Sequence, residues 1–342
     1  MLKTVGERPP LTRGHPMDPA DAAPQRDVRA DSPLSATSAP GISDARSSFG
    51  ARPMLGFTFV VLLAIVFGRD LYALFVHSAG NPLHSHVVLI PFVTAYLIYI
   101  DRAKLPHAYS SSFVFGGLAA ALGVGATLGA RALRNGGSIN DGDYLSCVAA
   151  SVILLLVGGG FLFLGSRWMK AAAFPAAFLL FSIPLPDSVA DVLETASKIG
   201  SAEVANAFFN ISGTPVLRDG FVFQLPGMVI EVAQECSGIR SSWVLLITSV
   251  LASYLFLRSG WRRTALVLAV IPLGLLRNGF RILIIGLLCV HIGPEMIDSA
   301  VHRRGGPAFF IFSLIPLFLL LHWLRKRDAP RGVQLGVSAP AR

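Results

Sequence analysis

The stretch "SGIRSSWVLLITSVLASYLFLRSGWRR" (residues 237–263) decides the fold. From Trp243 to Leu257 it carries no charged residue, and it closes on Arg258, Arg262 and Arg263. As a helix, residues 237–257 would be about 32 Å long, close to the thickness of a bilayer's hydrocarbon core. A segment of that length with a basic foot reads as a transmembrane helix whose foot faces the cytoplasm.

Working outward, similar apolar blocks run over about 53–76, 84–100, 112–130, 145–165, 169–185, 264–291 and 305–324, which makes eight expected spans. The chain is 53% hydrophobic and 14% charged, too little charge to cover a soluble domain of 342 residues. The expected fold class is an all-α polytopic membrane protein. A net charge of +9 then sets membrane orientation and does not point to nucleic acid, because the Lys and Arg residues cluster between apolar blocks. Arg102 and Lys104, Arg167 and Lys170, Arg258 to Arg263, and Arg325 to Arg331 all fall on one side, with Arg46 and Arg52 before the first span. Both termini are therefore expected in the cytoplasm.

Three regions follow. Residues 1–52 are rich in Pro, Ala, Ser, Asp and Arg and read as a disordered tail without the apolar core of a signal peptide. Residues 53–325 form the membrane domain, and 326–342 a basic cytoplasmic tail. The longest non-cytoplasmic segment is 186–236. Within it, 188–209 opens with a Ser188/Asp191 capping-box pattern and carries an apolar stripe of Val192, Ala196, Ile199, Val204 and Phe208. That predicts an amphipathic helix along the outer surface. Asp219-Gly220 and Pro226-Gly227 then mark turns of a small β-meander leading to Cys236. The glycines of 116–129 and 158–160 lie inside apolar spans and read as close helix packing.

Three reactive groups reach one depth. Cys236 stands at the outer end of its span, Arg281 about 26 Å into the next, and His302 about 33 Å from the cytoplasmic end of the last. Cys147 and Cys289 have no polar company and read as small buried hydrophobes. Cys236 differs, because a helix N-terminus and nearby arginines favour the thiolate. An arginine inside an apolar span suggests function by default, and that argument covers Arg277 as well as Arg281. A thiolate nucleophile needs an acid/base, here His302, and positive charge where the oxyanion develops, here Arg281. Such a set suits acyl transfer at a peptide bond through a thioester. No metal is expected, since no carboxylate or second histidine has ligand spacing around these residues, and no cofactor motif occurs.

"ECSGIRSS" (235–242), "NGFRI" (278–282) and "HRRGG" (302–306), in this order, resemble the exosortase/archaeosortase family, with its Cys-Ser-Gly-Ile-Arg, Asn-x-x-Arg and His-x-x-x-Gly elements. The similarity extends through "IPLPDSVADVL" and "GTPVLRDG" upstream, and back to "HSHVVLIPFVTAYLIYIDR" (84–102), with His86 at the usual histidine. The resemblance implies an eight-span, transpeptidase-like cysteine protease of a bacterial inner membrane, active on the periplasmic side, often where extracellular polysaccharide is made. Its partners would be exported proteins ending in a short Pro-containing motif, a transmembrane helix and a basic tail, the PEP-CTERM-like sorting signal. A periplasmic partner domain, fused in some relatives, would here be a separate protein. By the match, Cys236 is the nucleophile, Arg281 the transition-state stabiliser in preference to Arg277, and His302 the general acid/base. Arg240, Ser237, Gly238, Asn278, Gly306, His86 and Arg277 would support them. Glu235 stands where members often carry a small residue, and its charge would raise the local thiol pKa.

Two rival readings use the same residues. A transporter or polysaccharide-assembly component could employ Arg277, Arg281 and His302 on an anionic substrate, with Pro272, Gly274 and Gly279 breaking a helix. It would show internal repeats and midplane charges, and would not need Cys236. A catalytically silent chaperone for secreted proteins would tolerate loss of all three groups.

Overall fold

In the computed structural model, the described residues are 42–106, 109–232, 238–298 and 306–328. Residues 1–41 of the expected N-terminal tail and most of the C-terminal one, together with Glu235, Cys236, Ser237 and His302, lie outside them, whereas residues 42–52 of that tail form the start of a helix. The chain divides into Met1–Asp44 and Ala45–Arg342, and the fold is that of the second unit.

Helix α1 (Ile42–Val66) breaks at Phe67-Gly68 into α2 (Gly68–Gly80), bent from it by 70°. A short 3-10 turn (Ser85–Val88) leads into α3 (Ile90–Ile100). Next come α4 (Phe113–Asn135) and α5 (Asp141–Gly159), the latter continuing as one π turn to Leu164. Two short helices follow, α6 (Ser166–Ala171) and α7 (Ala173–Phe178). The chain turns by 88° into α8 (Asp187–Ile211), and strands β1 (Leu217–Asp219), β2 (Val222–Leu225) and β3 (Met228–Glu231) form an antiparallel meander. The last four helices are α9 (Ile239–Phe256), α10 (Gly260–Leu268), α11 (Val270–His291) and α12 (Gly306–Asp328).

Among the described residues, five helical stretches are long and apolar enough to cross a membrane, or seven if each bent pair is one span. The expected count was eight. The first and fifth expected spans appear only as bent pairs, and the second is missing on either count. Residues 84–100 give only eleven α-helical residues, with Pro91 in the first turn, about 16 Å long. Residues 169–185 break at Ala172 and end in Ile183-Pro184-Leu185-Pro186, where each proline disfavours helix in the residue before it. The glycine reading holds for Gly116, Gly123 and Gly158 but not for Gly117, Gly125 and Gly129, which have nothing within 4 Å; a Cβ on Gly158 would lie 3.0 Å from the Ala120 nitrogen, so α4 and α5 approach backbone to backbone.

The segment expected between the fifth and sixth spans forms a platform. The capping box at Ser188 is not used; α8 begins at Asp187, whose N–H donates to the Asp143 carboxylate (2.9 Å) at the start of α5. The expected stripe is also not the buried face. Val192 and Ile199 stay exposed, whereas Ser201, Ala202, Ala205 and Phe209 are buried. That face fits because α11 presents glycines to it, and Val204 of the expected stripe joins it half-buried. A Cβ on Gly279 would lie 2.5 Å from Val204, and one on Gly286 would lie 2.6 Å from Phe209. The exposed stripe remains available to lipid. The meander follows its turn signals, with Leu225 paired to Met228 across Pro226-Gly227, and Gly227 at φ 82° as a type II turn requires. Phe223, Leu225, Ile230 and Val232 close the platform core against α8 and Ile282 of α11. Helices α10 and α11 run on as one stretch of 32 residues, about 48 Å, longer than a hydrocarbon layer is thick.

The basic ends of α3, α9 and α12 are tied together. The buried Asp101 carboxylate accepts hydrogen bonds from the Tyr254 hydroxyl and from Lys104. Burial pushes the Asp101 carboxyl up, but those two hydrogen bonds and the Lys104 charge outweigh it and hold the group below its ordinary value. Since the folded carboxyl binds its proton less readily than the unfolded one, its contribution is complete above the ordinary carboxylate pKa. It fades as pH falls below that value, through the folded one. Asp101→Asn should therefore cost about 2 kcal/mol at neutral pH, read as a lower unfolding midpoint in detergent. The gap to wild type should shrink in acid below about pH 4. A gap that persists undiminished there would contradict the pairing.

Candidate functional site

The site begins where the chain leaves the meander and enters α9. Gly238 precedes the helix with φ 74° and ψ 5°, a left-handed conformation that side chains rarely adopt. A Cβ there would also lie 2.9 Å from the Asn278 side chain and 3.2 Å from Arg277 Nη2. Conformation and space both call for glycine.

Arg277 explains the space. It is 9% exposed in the middle of the apolar bundle, and its Nη2 donates to the Gly238 carbonyl (2.9 Å) and to the Ser242 hydroxyl (3.0 Å). The same carbonyl accepts from the Ser242 N–H (3.1 Å) and the Ser241 hydroxyl (3.2 Å). One carbonyl at the mouth of α9 therefore receives three hydrogen bonds, the helix's own from Ser242 and two from side chains. Gly274, one turn before Arg277, makes room for this: a Cβ on it would meet Ser242 Oγ at 2.7 Å. Asn278, 2% exposed, lies against Gly238 from the next position of α11.

The remaining sequence candidates fall at graded distances from this junction. Arg281 is half-buried one turn farther along α11, away from the basic end and on the same face as Arg277. His86 lies on the other side of α9, where its Nε2 accepts from Trp243 Nε1 at 3.1 Å. Arg240 is exposed on the first turn of α9, and Gly306 is the first residue of α12. Cys236 precedes Gly238 by two residues and His302 precedes Gly306 by four, both outside the described residues. The other two cysteines are free thiols, Cys289 buried and Cys147 half-buried. Among the described residues no group of three or more His, Cys, Asp or Glu is arranged to hold a metal.

Sequence reasoning placed Arg277 as a rival to Arg281 and did not see that it grips the backbone beside the cysteine motif. Its partners, Gly238 and Ser242, are 39 and 35 residues away, and only the pairing of α9 with α11 reveals them. Ser242 and Trp243 were missed for the same reason. A further cavity of about 330 Å³ opens beside Arg277 between α11 and α12, with apolar walls that include Phe208, Phe280 and Phe312.

The contacts predict an order of sensitivity. Arg277→Gln removes the buried donor to Gly238 and Ser242 and should cost about 3 kcal/mol. Gly238→Ala should cost about 1–3 kcal/mol through strain and crowding. Arg240→Ala on the exposed face should stay within about 0.5 kcal/mol. Unfolding in detergent followed by circular dichroism checks this, and an Arg277 variant as stable as wild type would contradict the clamp.

With this geometry in place, comparison with known proteins adds one match. The family model for the transmembrane exosortase, Exosortase_EpsH, covers residues 76–319, from α2 to α12. No curated protein and no solved structure matches the chain.

Proposed function

The chain belongs to the transmembrane exosortase family, and from that premise we propose that it is a cysteine protease or transpeptidase acting on the C-terminal sorting signals of exported proteins. It is a multi-pass membrane protein, and in this reading its basic end faces the cytoplasm and the Gly238 junction the periplasm of a bacterial inner membrane. The observation that carries the proposal is the clamp of Arg277 on Gly238. It fixes the backbone two residues after Cys236 and gives the cysteine motif a rigid anchor in an otherwise apolar bundle.

In the proposed reaction the Cys236 thiolate attacks the scissile carbonyl carbon within the Pro-containing motif. Arg281 stabilises the negative charge on the carbonyl oxygen. The C–N bond breaks as His302 gives its proton to the departing amine, which leaves with the substrate's transmembrane helix and basic tail. The mature protein stays bound to Cys236 as a thioester until water or an amine resolves it. Arg277 is a positioning residue: its Nη2 donates to both Gly238 and Ser242, and its buried Nη1 has no hydrogen-bond partner among the described residues. Asn278 packs against the same glycine, and the apolar cavity beside Arg277 has a lining suited to side chains of the substrate's helix.

Co-expression with an exported protein carrying such a signal, followed by immunoblot, tests the reading. The shortened form should appear with wild type and with Cys289→Ala, and should be lost with Cys236→Ala, Arg281→Ala and His302→Ala. Processing that survives Cys236→Ala would end the protease reading.

A further inference from the structure

At the end of the bundle away from Gly238, the C-termini of α9 and α12 and the start of α10 enclose a pocket of about 700 Å³. Its rim carries Lys104, Arg258, Arg263, Arg325 and Lys326, and its only carboxylate is Asp328. That carboxylate is already committed. It accepts from the backbone N–H groups of Arg258 and Ser259 and from the Arg262 guanidinium. Lys104 is likewise held by Asp101. Among the described residues, Arg258, Arg325 and Lys326 have no carboxylate partner.

The charge does not balance. The last turns of α9 and α12 contribute about half a negative charge each, which leaves an excess of about three positive charges around the pocket when Asp101, Asp328 and Arg262 are counted. Like charges held this close repel one another, and a bound anion relieves the repulsion. The walls narrow the choice of anion. Leu255 and Phe256, in the last turn of α9, line the same pocket and are 42% and 45% exposed. Cationic rim and apolar wall meet at the ends of spanning helices, the level at which a bilayer places phosphates above acyl chains.

We propose that this pocket binds the phosphate headgroup of an anionic glycerophospholipid, with the acyl chains along Leu255 and Phe256. Arg258 and Lys326, both exposed and unpaired among the described residues, are its principal phosphate contacts. Arg263 is held in place by its Nε bond to the Leu257 carbonyl (2.9 Å) and frames the pocket from α10.

The test uses the purified full-length protein in detergent, titrated with phosphatidylglycerol or phosphatidylcholine, with bound lipid counted by native mass spectrometry. Phosphatidylglycerol should bind in preference. Its affinity should fall about fivefold for Arg258→Gln or Lys326→Gln alone and about 25-fold for the pair. Arg167→Gln with Lys170→Gln, exposed cations outside the pocket, should leave it unchanged. Inorganic phosphate should not displace the lipid. Equal loss in both pairs of variants would make the effect one of general surface charge and overturn the site. Ready displacement by inorganic phosphate would make the ligand a free anion and overturn the lipid assignment. Equal binding of the two lipids would overturn both.

Discussion

The whole arrangement hangs on one buried guanidinium. Arg277 sits where an unpaired charge would cost several kcal/mol, and it is tolerable there because a backbone carbonyl and a hydroxyl of α9 accept from it. In an apolar bundle such a contact is directional where van der Waals packing is not. It fixes the axial register of α9 against α11, and with it the height of everything attached to the mouth of α9. Gly274 lets Ser242 in, Gly238 takes the left-handed turn, and Asn278 fills the remaining space.

The platform adds the second constraint. Helix α8 lies on the far half of α11 through Ala202, Ala205 and Phe209 against Gly279 and Gly286, and the meander closes on the same core. The chain therefore approaches the cysteine motif from a packed layer. Both sides of residues 233–237 are anchored, by β3 before and by the clamped Gly238 after.

Much of this was legible in the sequence, and the failures have physical reasons. Spans such as 237–257 and 145–165 could be read because length, apolarity and a basic foot agree. The second and fifth spans could not, because Pro91, Pro184 and Pro186 break helices that composition alone would continue. The meander was readable from Asp219-Gly220 and Pro226-Gly227, since turn chemistry is local. The buried face of α8 was misread because hydrophobicity favoured Val192 and Ile199, whereas the glycines of α11, far off in sequence, take in Val204 and Phe209. Of the candidate site, the motifs named the neighbourhood, with Gly238, Arg277 and Asn278 brought into contact by the fold. The role of Arg277 depends on residues more than 30 positions away, and no local pattern encodes such a pairing.

The most direct test of the central claim is to trap the covalent intermediate. The protein is incubated with a signal-bearing substrate, quenched in acid, and resolved by denaturing electrophoresis with and without hydroxylamine, which cleaves thioesters. The account predicts an adduct of enzyme and mature substrate that hydroxylamine dissolves, that maps to Cys236 by mass spectrometry, and that weakens when Arg277→Gln loosens the anchor beside it. An adduct on Cys147 or Cys289, or substrate shortened by Cys236→Ala without any adduct, would contradict it.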